Sequence, residues 1–175
     1  MFVSSLVWDL PAGRGRSHQL RGLLGKLAND WTIASIVTLQ FGIPIAISQA
    51  TNFNAFAGFG VQRPNLVGDP VLPAAERSPA RWFNTAGFAV APPFTRGSAS
   101  RNPVRKPSYH NVDVAVSRRI SAGAGRSVER RAEAFNVLDT PPLGAPAGVL
   151  GTARFGTITA AGDPRVVQLA VKLAF

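Results

Sequence analysis

From residue 165 to the last residue, apolar positions alternate with polar or small ones. Val167, Leu169, Val171, Leu173 and Phe175 lie on one side, and Gln168, Ala170, Lys172 and Ala174 on the other. A period of two is the signature of a strand with one oily face. The stretch also matches the roughly 9 to 11 residues that a tilted strand needs to cross a bilayer core. Four further stretches predict strands: 2–10 (FVSSLVWDL), 31–48 (WTIASIVTLQFGIPIAIS), 111–120 (NVDVAVSRRI) and 127–138 (SVERRAEAFNVL). With 166–175 they predict an all-β fold of about five antiparallel strands, separated by Gly- and Pro-rich breaks such as Pro11-Ala12-Gly13 and SAGAG at 121–125.

The second stretch tests this reading, because no charged residue occurs from Trp31 to Gln62 and a transmembrane helix competes for it. Gly42 and Pro44, the β-branched Ile43, Ile45 and Ile47, and the polar Thr32, Ser35, Thr38 and Gln40 favour strand over helix.

The longest connection, 49–110, holds eight of the chain's 14 prolines, from Pro64 to Pro107. A loop of that length is usually functional or disordered. Its segment 81–90, RWFNTAGFAV, is too oily to stay wholly unfolded. Phe53, Phe56, Phe59, Trp82, Phe83, Phe88 and Phe94 lie in it. They could line a ligand surface, but a satellite cluster that packs the loop on itself is the favoured reading.

Loop parity fits a membrane barrel, in which one end carries short turns and the other long loops. With 49–110 placed outside, the turn at 121–125 falls inside and 139–165 outside. The 11–30 connection must then lie inside, and a short helix over 20–27 would accommodate its length. On the fourth strand Glu129, Arg131 and Glu133 share one face, which reads as a lumen face with its charges mutually neutralised. The opposite face carries Val128, Ala132 and Ala134 but also Arg130. An arginine facing lipid costs about 2–4 kcal/mol at the midplane and little near the boundary. Arg130 and Arg118 both lie close to the 121–125 turn, within snorkelling reach of the periplasmic surface. Five strands cannot close a membrane barrel, which takes at least about 8, and lipid leaves the backbone groups of an open edge unsatisfied. Upstream strands are therefore expected to complete it. Met1 opens no signal peptide, so the chain reads as lacking an N-terminal portion.

Composition agrees with this reading. Apolar residues make up 46% and charged residues only 16% of the 175, below the roughly 25% charged residues usual for soluble domains. Cysteine is absent, which excludes disulfides and thiolate sites. Catalysis finds no support in the sequence, and no cofactor or metal is implied. His18 and His110 stand isolated, and HxxxH, CxxC and GxSxG patterns are missing. Asp9, Asp69, Asp113, Asp139 and Asp163 are scattered near strand ends and turns, where Asp serves turn chemistry. The net charge is +10, and residues 50–108 carry seven basic and two acidic side chains. The alternative is thus a soluble basic β-rich module binding nucleic acid or another polyanion. It is the weaker reading, because no aromatic RNA-binding motif is visible. A basic outer loop can equally meet lipopolysaccharide or an acidic ligand.

Nearly the whole chain resembles the C-terminal end of TonB-dependent outer-membrane receptors of the Oar-like group, which bear a carboxypeptidase regulatory domain. The similar stretches are VWDLPAG (7–13), WTIASIVTLQFGIPIAIS (31–48), RPNLVGDP (63–70), RWFNTAGFA (81–89), GSASRN (97–102), NVDVAVSRRI (111–120), RRAEAFNVLDTP (130–141) and FGTITAAGDPRVVQLAVKLAF (155–175). The resemblance implies a bacterial outer-membrane barrel of about 22 strands around a plug. It further implies non-catalytic import of a large scarce ligand, energised through TonB, with plug and TonB-contacting segment upstream. Phe175, with Val171 and Leu173 on the same face, matches the family's signal to the barrel-assembly machinery. Arg130 departs from the pattern, since an aliphatic or aromatic residue is expected there.

Overall fold

Long strands alternate with groups of two-residue strands along the chain. β1 (Phe2–Asp9) and β2 (Trp31–Gln40) come first. The short strands β3 (Pro44–Ile45), β4 (Ser48–Gln49), β5 (Asn65–Leu66), β6 (Phe88–Ala89) and β7 (Val104–Arg105) follow. β8 (Tyr109–Gly123) and β9 (Arg126–Phe135) are long, β10 (Val149–Leu150) is short, and β11 (Val166–Ala174) is long again. This computed structural model describes residues 1–13, 18, 22, 25, 29–58, 60–123 and 125–175. Apart from Gly22 and Gly25, the helix expected over 20–27 lies outside them. No helix among the described residues is long and apolar enough to cross a membrane, and the charge-free stretch begins as strand β2.

The fold is all-β. Its main sheet has five strands in the order β1-β2-β8-β9-β11, with β1 and β11 at the two edges. This sheet belongs to a compact unit of residues 1–40, 110–141 and 163–175. β1 pairs antiparallel with β2, and β9 with β8 and β11; apart from an irregularity at Ser121–Gly123 each face can be followed across β8, β9 and β11. Glu129 of β9 stands opposite Arg119 of β8 and Lys172 of β11. Arg131 stands opposite Ser117 and Ala170, and Glu133 opposite Ala115 and Gln168. On the other face Ala132 lies between Val116 and Leu169, and Ala134 between Val114 and Val167. Antiparallel partners share a face. Polar and apolar residues are therefore sorted consistently across three strands. Between β1 and β2, Trp8 pairs with Ile33 and Phe2 with Leu39, so their large side chains also fall on one face. The Arg118 guanidinium lies over the Trp31 ring at 5.8 Å, which makes that face continuous with the apolar face of β8.

Several strand ends differ from those expected: β8 runs from Tyr109 to Gly123 rather than over 111–120, reaching into the expected 121–125 turn, and β9 and β2 stop early for local reasons. β9 stops at Phe135 rather than at 138 because Asn136 takes a left-handed conformation, φ 52°, that a ladder cannot continue. Asn136 is buried and organises the turn. Its N–H donates to Asp113 Oδ1 at 2.9 Å, its amide donates to the Asp163 carbonyl at 3.3 Å, and its Oδ1 accepts from Thr140 N–H at 3.1 Å. Replacement by Ala removes the latter two bonds and disfavours the backbone. Asn136→Ala is expected to cost about 2–3 kcal/mol, read as a lower urea midpoint of the membrane-inserted protein. β2 likewise stops at Gln40, short of 48. Beyond it Gly42 packs where a Cβ would collide with the Lys106 carbonyl oxygen, and β3 then pairs with β7.

The second compact unit comprises residues 41–109 and 142–162, the two long connections of the sheet. Its core is Ile47, Phe83, Phe88, Ala99 and Val104, with Ile45, Trp82, Leu150 and Phe155 packed against it. Phe83, Phe88 and Phe155 meet edge to face, with ring centroids 5.1 to 5.8 Å apart. The two connections are joined directly. β4 and β10 pair in parallel, Trp82 N–H donates to the Gly156 carbonyl, and Ile158 N–H donates to the Pro79 carbonyl. The expected satellite cluster is present, and Phe83, Phe88 and Trp82 belong to it. Phe94 is exposed and Phe53 half so. Phe59 and the side chain of Phe56 lie outside the described residues.

Candidate functional site

Alternation along β9 puts the side chains of Glu129, Arg131 and Glu133 on one face, and the structure brings them into a charge ladder. Arg131 reaches Glu133 Oε1 at 3.2 Å and Glu129 Oε1 at 3.7 Å, and Arg119 closes on Glu129 Oε2 at 3.0 Å. Register adds Lys172 and Gln168 of β11 and Ser117 of β8 to the same face. This polar surface can hydrogen-bond water or a passing solute at many points. On the opposite face Val171, Leu173 and Phe175 are exposed, Phe175 by 95%. The charged side chains Arg118 and Arg130 are directly opposed there.

The second unit holds a cleft of about 620 Å³. Phe41, Val71, Leu72, Trp82, Phe83 and Val104 give it apolar walls, and Arg77, Arg105 and Lys106 give it positive charge with no carboxylate among the lining residues. Internal bonds fix its shape. Arg77 Nε donates to the Leu72 carbonyl at 2.8 Å while its guanidinium lies over Trp82 at 5.9 Å. Trp82 Nε1 donates to the Arg105 carbonyl at 2.8 Å, and Arg105 Nη1 donates to the Gly42 carbonyl at 3.0 Å. The lining of the cleft mixes polar and apolar surface and it stands half open, which suits one group of a larger ligand better than a wholly enclosed small molecule. Sequence reasoning weighed Trp82 and Phe83 as possible ligand-surface residues, and they contribute one wall. Arg77, Arg105 and Lys106 had been counted only as loop charge, because nothing local in the sequence signals that they converge.

Elsewhere the basic loop uses arginine as a structural clip. Arg63 Nη1 donates to the Ala99 carbonyl at 3.1 Å. The aspartates serve turns and strand ends. Asp69 Oδ1 accepts from Val71 N–H, Asp9 Oδ1 from the Thr32 hydroxyl, and Asp139 Oδ1 from Arg165 N–H. His18 is exposed, and His110 sits near the start of β8.

A buried polar network braces the loop unit and was not foreseen. Gln49 Nε2 donates to Gln62 Oε1 at 3.0 Å, and Gln49 Oε1 accepts from Ala91 N–H at 2.9 Å. Gln62 Oε1 also accepts from Phe53 N–H at 2.8 Å, and Asn54 donates to the Thr95 carbonyl at 2.8 Å. Three amide side chains thereby tie together three segments, 49–54, the neighbourhood of 62, and 91–95.

A family model described as "Outer membrane beta barrel domain" matches residues 1–168. No curated protein and no solved structure matches the chain.

Proposed function

The chain belongs to the outer membrane beta barrel domain family, and on that premise we propose that it forms part of the wall of a TonB-dependent receptor of the Oar-like group. It is an outer-membrane β-barrel protein. In this reading the ladder Glu129–Arg131–Glu133 and its neighbours line the lumen, and the apolar face meets acyl chains. Strands from elsewhere in the parent protein pair with β1 and β11 to complete the cylinder around a plug. The receptor imports a large scarce ligand without catalysis. The observation that carries the reading is the face sorting held in register across β8, β9 and β11. A barrel wall between lipid and a wet lumen needs that arrangement, and the two edge strands, unpaired among the described residues, call for neighbours.

The loop unit supplies the outer receptor surface. Its cleft, with apolar walls and three basic residues, suits an anionic ligand or an anionic group on a larger ligand. The resemblance of the chain to Oar-like receptors supports the TonB dependence. Two measurements test the proposal on the full-length parent protein. Fractionation should recover it from detergent-extracted outer membrane, and an immobilised TonB periplasmic domain should retain it. Recovery in the outer membrane without TonB retention would leave a barrel that is not energised in this way and would end the receptor reading. For the cleft, Arg77→Ala combined with Lys106→Ala should weaken binding of the transported ligand about tenfold or more with barrel yield unchanged. Unaltered uptake would move ligand capture away from these residues.

A further inference from the structure

On the apolar face of the sheet Arg118 of β8 and Arg130 of β9 stand directly opposite each other. Like charges so placed repel. The other two arginines in the middle of these strands are relieved, since Arg119 and Arg131 bond Glu129 and Glu133. Those carboxylates, and Asp113 with them, have the opposite parity along their strands and lie on the polar face. Within β8, β9 and β11 no acidic residue shares the face of Arg118 and Arg130. Among the described residues the buried Nε of Arg118 has no hydrogen-bond partner, and its guanidinium is held over Trp31. An outward indole marks the depth at which a barrel strand meets the headgroup layer. Two guanidinium side chains on neighbouring strands at that depth, with no carboxylate on their face of β8, β9 or β11, offer several N–H donors to a phosphate.

The surface next to the pair continues the pattern. Beyond Arg130 the same face of β9 carries Ala132 and Ala134, flanked by Val116 and Val114 on β8 and by Leu169 and Val167 on β11. Small side chains on β9 between the larger ones of β8 and β11, two rows about 10 Å apart at the usual strand spacing, leave a trough along the strand with room for one hydrocarbon chain.

We propose that Arg118 and Arg130 bind the phosphate of an anionic membrane phospholipid, whose acyl chain lies along the trough over Ala132 and Ala134. The site rests on the barrel-wall reading, because it needs this face to meet lipid. It also accounts for Arg130, where the family resemblance called for an apolar residue.

The test uses the full-length parent protein reconstituted into phosphatidylcholine vesicles containing a minor share of phosphatidylglycerol. After gentle extraction, native mass spectrometry counts the lipids retained, and heat-modifiable gel migration of the same sample reports insertion. Phosphatidylglycerol should be enriched about tenfold over its share in the vesicles. Enrichment should vanish in R118Q/R130Q and persist in K172Q, which removes a cation from the other face. If the double variant fails to insert, R130Q alone is read instead; a fall in enrichment upholds the site and an unchanged value overturns it. An inserted wild-type protein without enrichment overturns the lipid site alone. A protein that never inserts overturns the barrel-wall reading as well. Displacement of the lipid by inorganic phosphate would assign the arginines to a free anion and overturn the proposal.

Discussion

Leu169→Arg should prevent the barrel from folding, whereas Gln168→Arg, one residue earlier on the same strand, should be accommodated. Leu169 is 79% exposed on the apolar face and pairs with Ala132, so a guanidinium there would have neither a carboxylate nor water to reach. Near the midplane this costs about 2–4 kcal/mol, a large share of a typical total stability. Gln168 stands opposite Glu133 on the other face, where an added cation meets an anion. The readout is the folded fraction of the full-length protein inserted into vesicles, taken from heat-modifiable migration. The pair of variants tests orientation rather than general tolerance, because a strand reversed about its axis would exchange their phenotypes. Equal folding of both would contradict the assignment of lipid and lumen faces.

Phe83→Ala should unfold the loop unit while leaving the strands in place. Phe83 is 2% exposed and makes edge-to-face contacts with both Phe88 and Phe155. Truncating a buried phenylalanine costs about 3–5 kcal/mol, and among the described residues this core has only five buried apolar members to share the loss. Phe155 arrives from the second connection, so residues 142–162 should loosen together with 41–109. Limited proteolysis of the inserted protein, with cleavage sites mapped by mass spectrometry, should show new cuts in both segments and none in β8, β9 or β11. Cuts confined to the first connection would mean that the second is held by something other than this core.

The sheet was legible in the sequence because strands report themselves locally. Alternation in Val167 to Phe175 and in Glu129 to Glu133 exposes two faces without knowledge of any partner, and the positions of Pro and Gly bound the elements. Oiliness in 81–90 was enough to expect a cluster. The cleft and the bracing network were not legible, for a physical reason. Gln49 contacts residues 13 and 42 positions away, and a buried amide that satisfies backbone groups leaves no periodic trace. Arg77, Arg105 and Lys106 gave only a net charge until the fold placed them around one space. The end of β9 illustrates the middle ground. The asparagine was visible, but the left-handed turn it makes depends on Asp113, Asp163 and Thr140 arriving together.

The parallel pairing of β4 with β10 bears on how this chain could be altered. Ser48 N–H donates to the Gly148 carbonyl and Ala50 N–H to the Leu150 carbonyl, so each long connection is the other's hydrogen-bonding neighbour. Grafting either one alone onto a foreign scaffold would strand those backbone groups and open a hole where Phe155 or Phe83 had been. Successful transplants, whether by an engineer or by recombination between genes, should therefore carry both connections as one cassette.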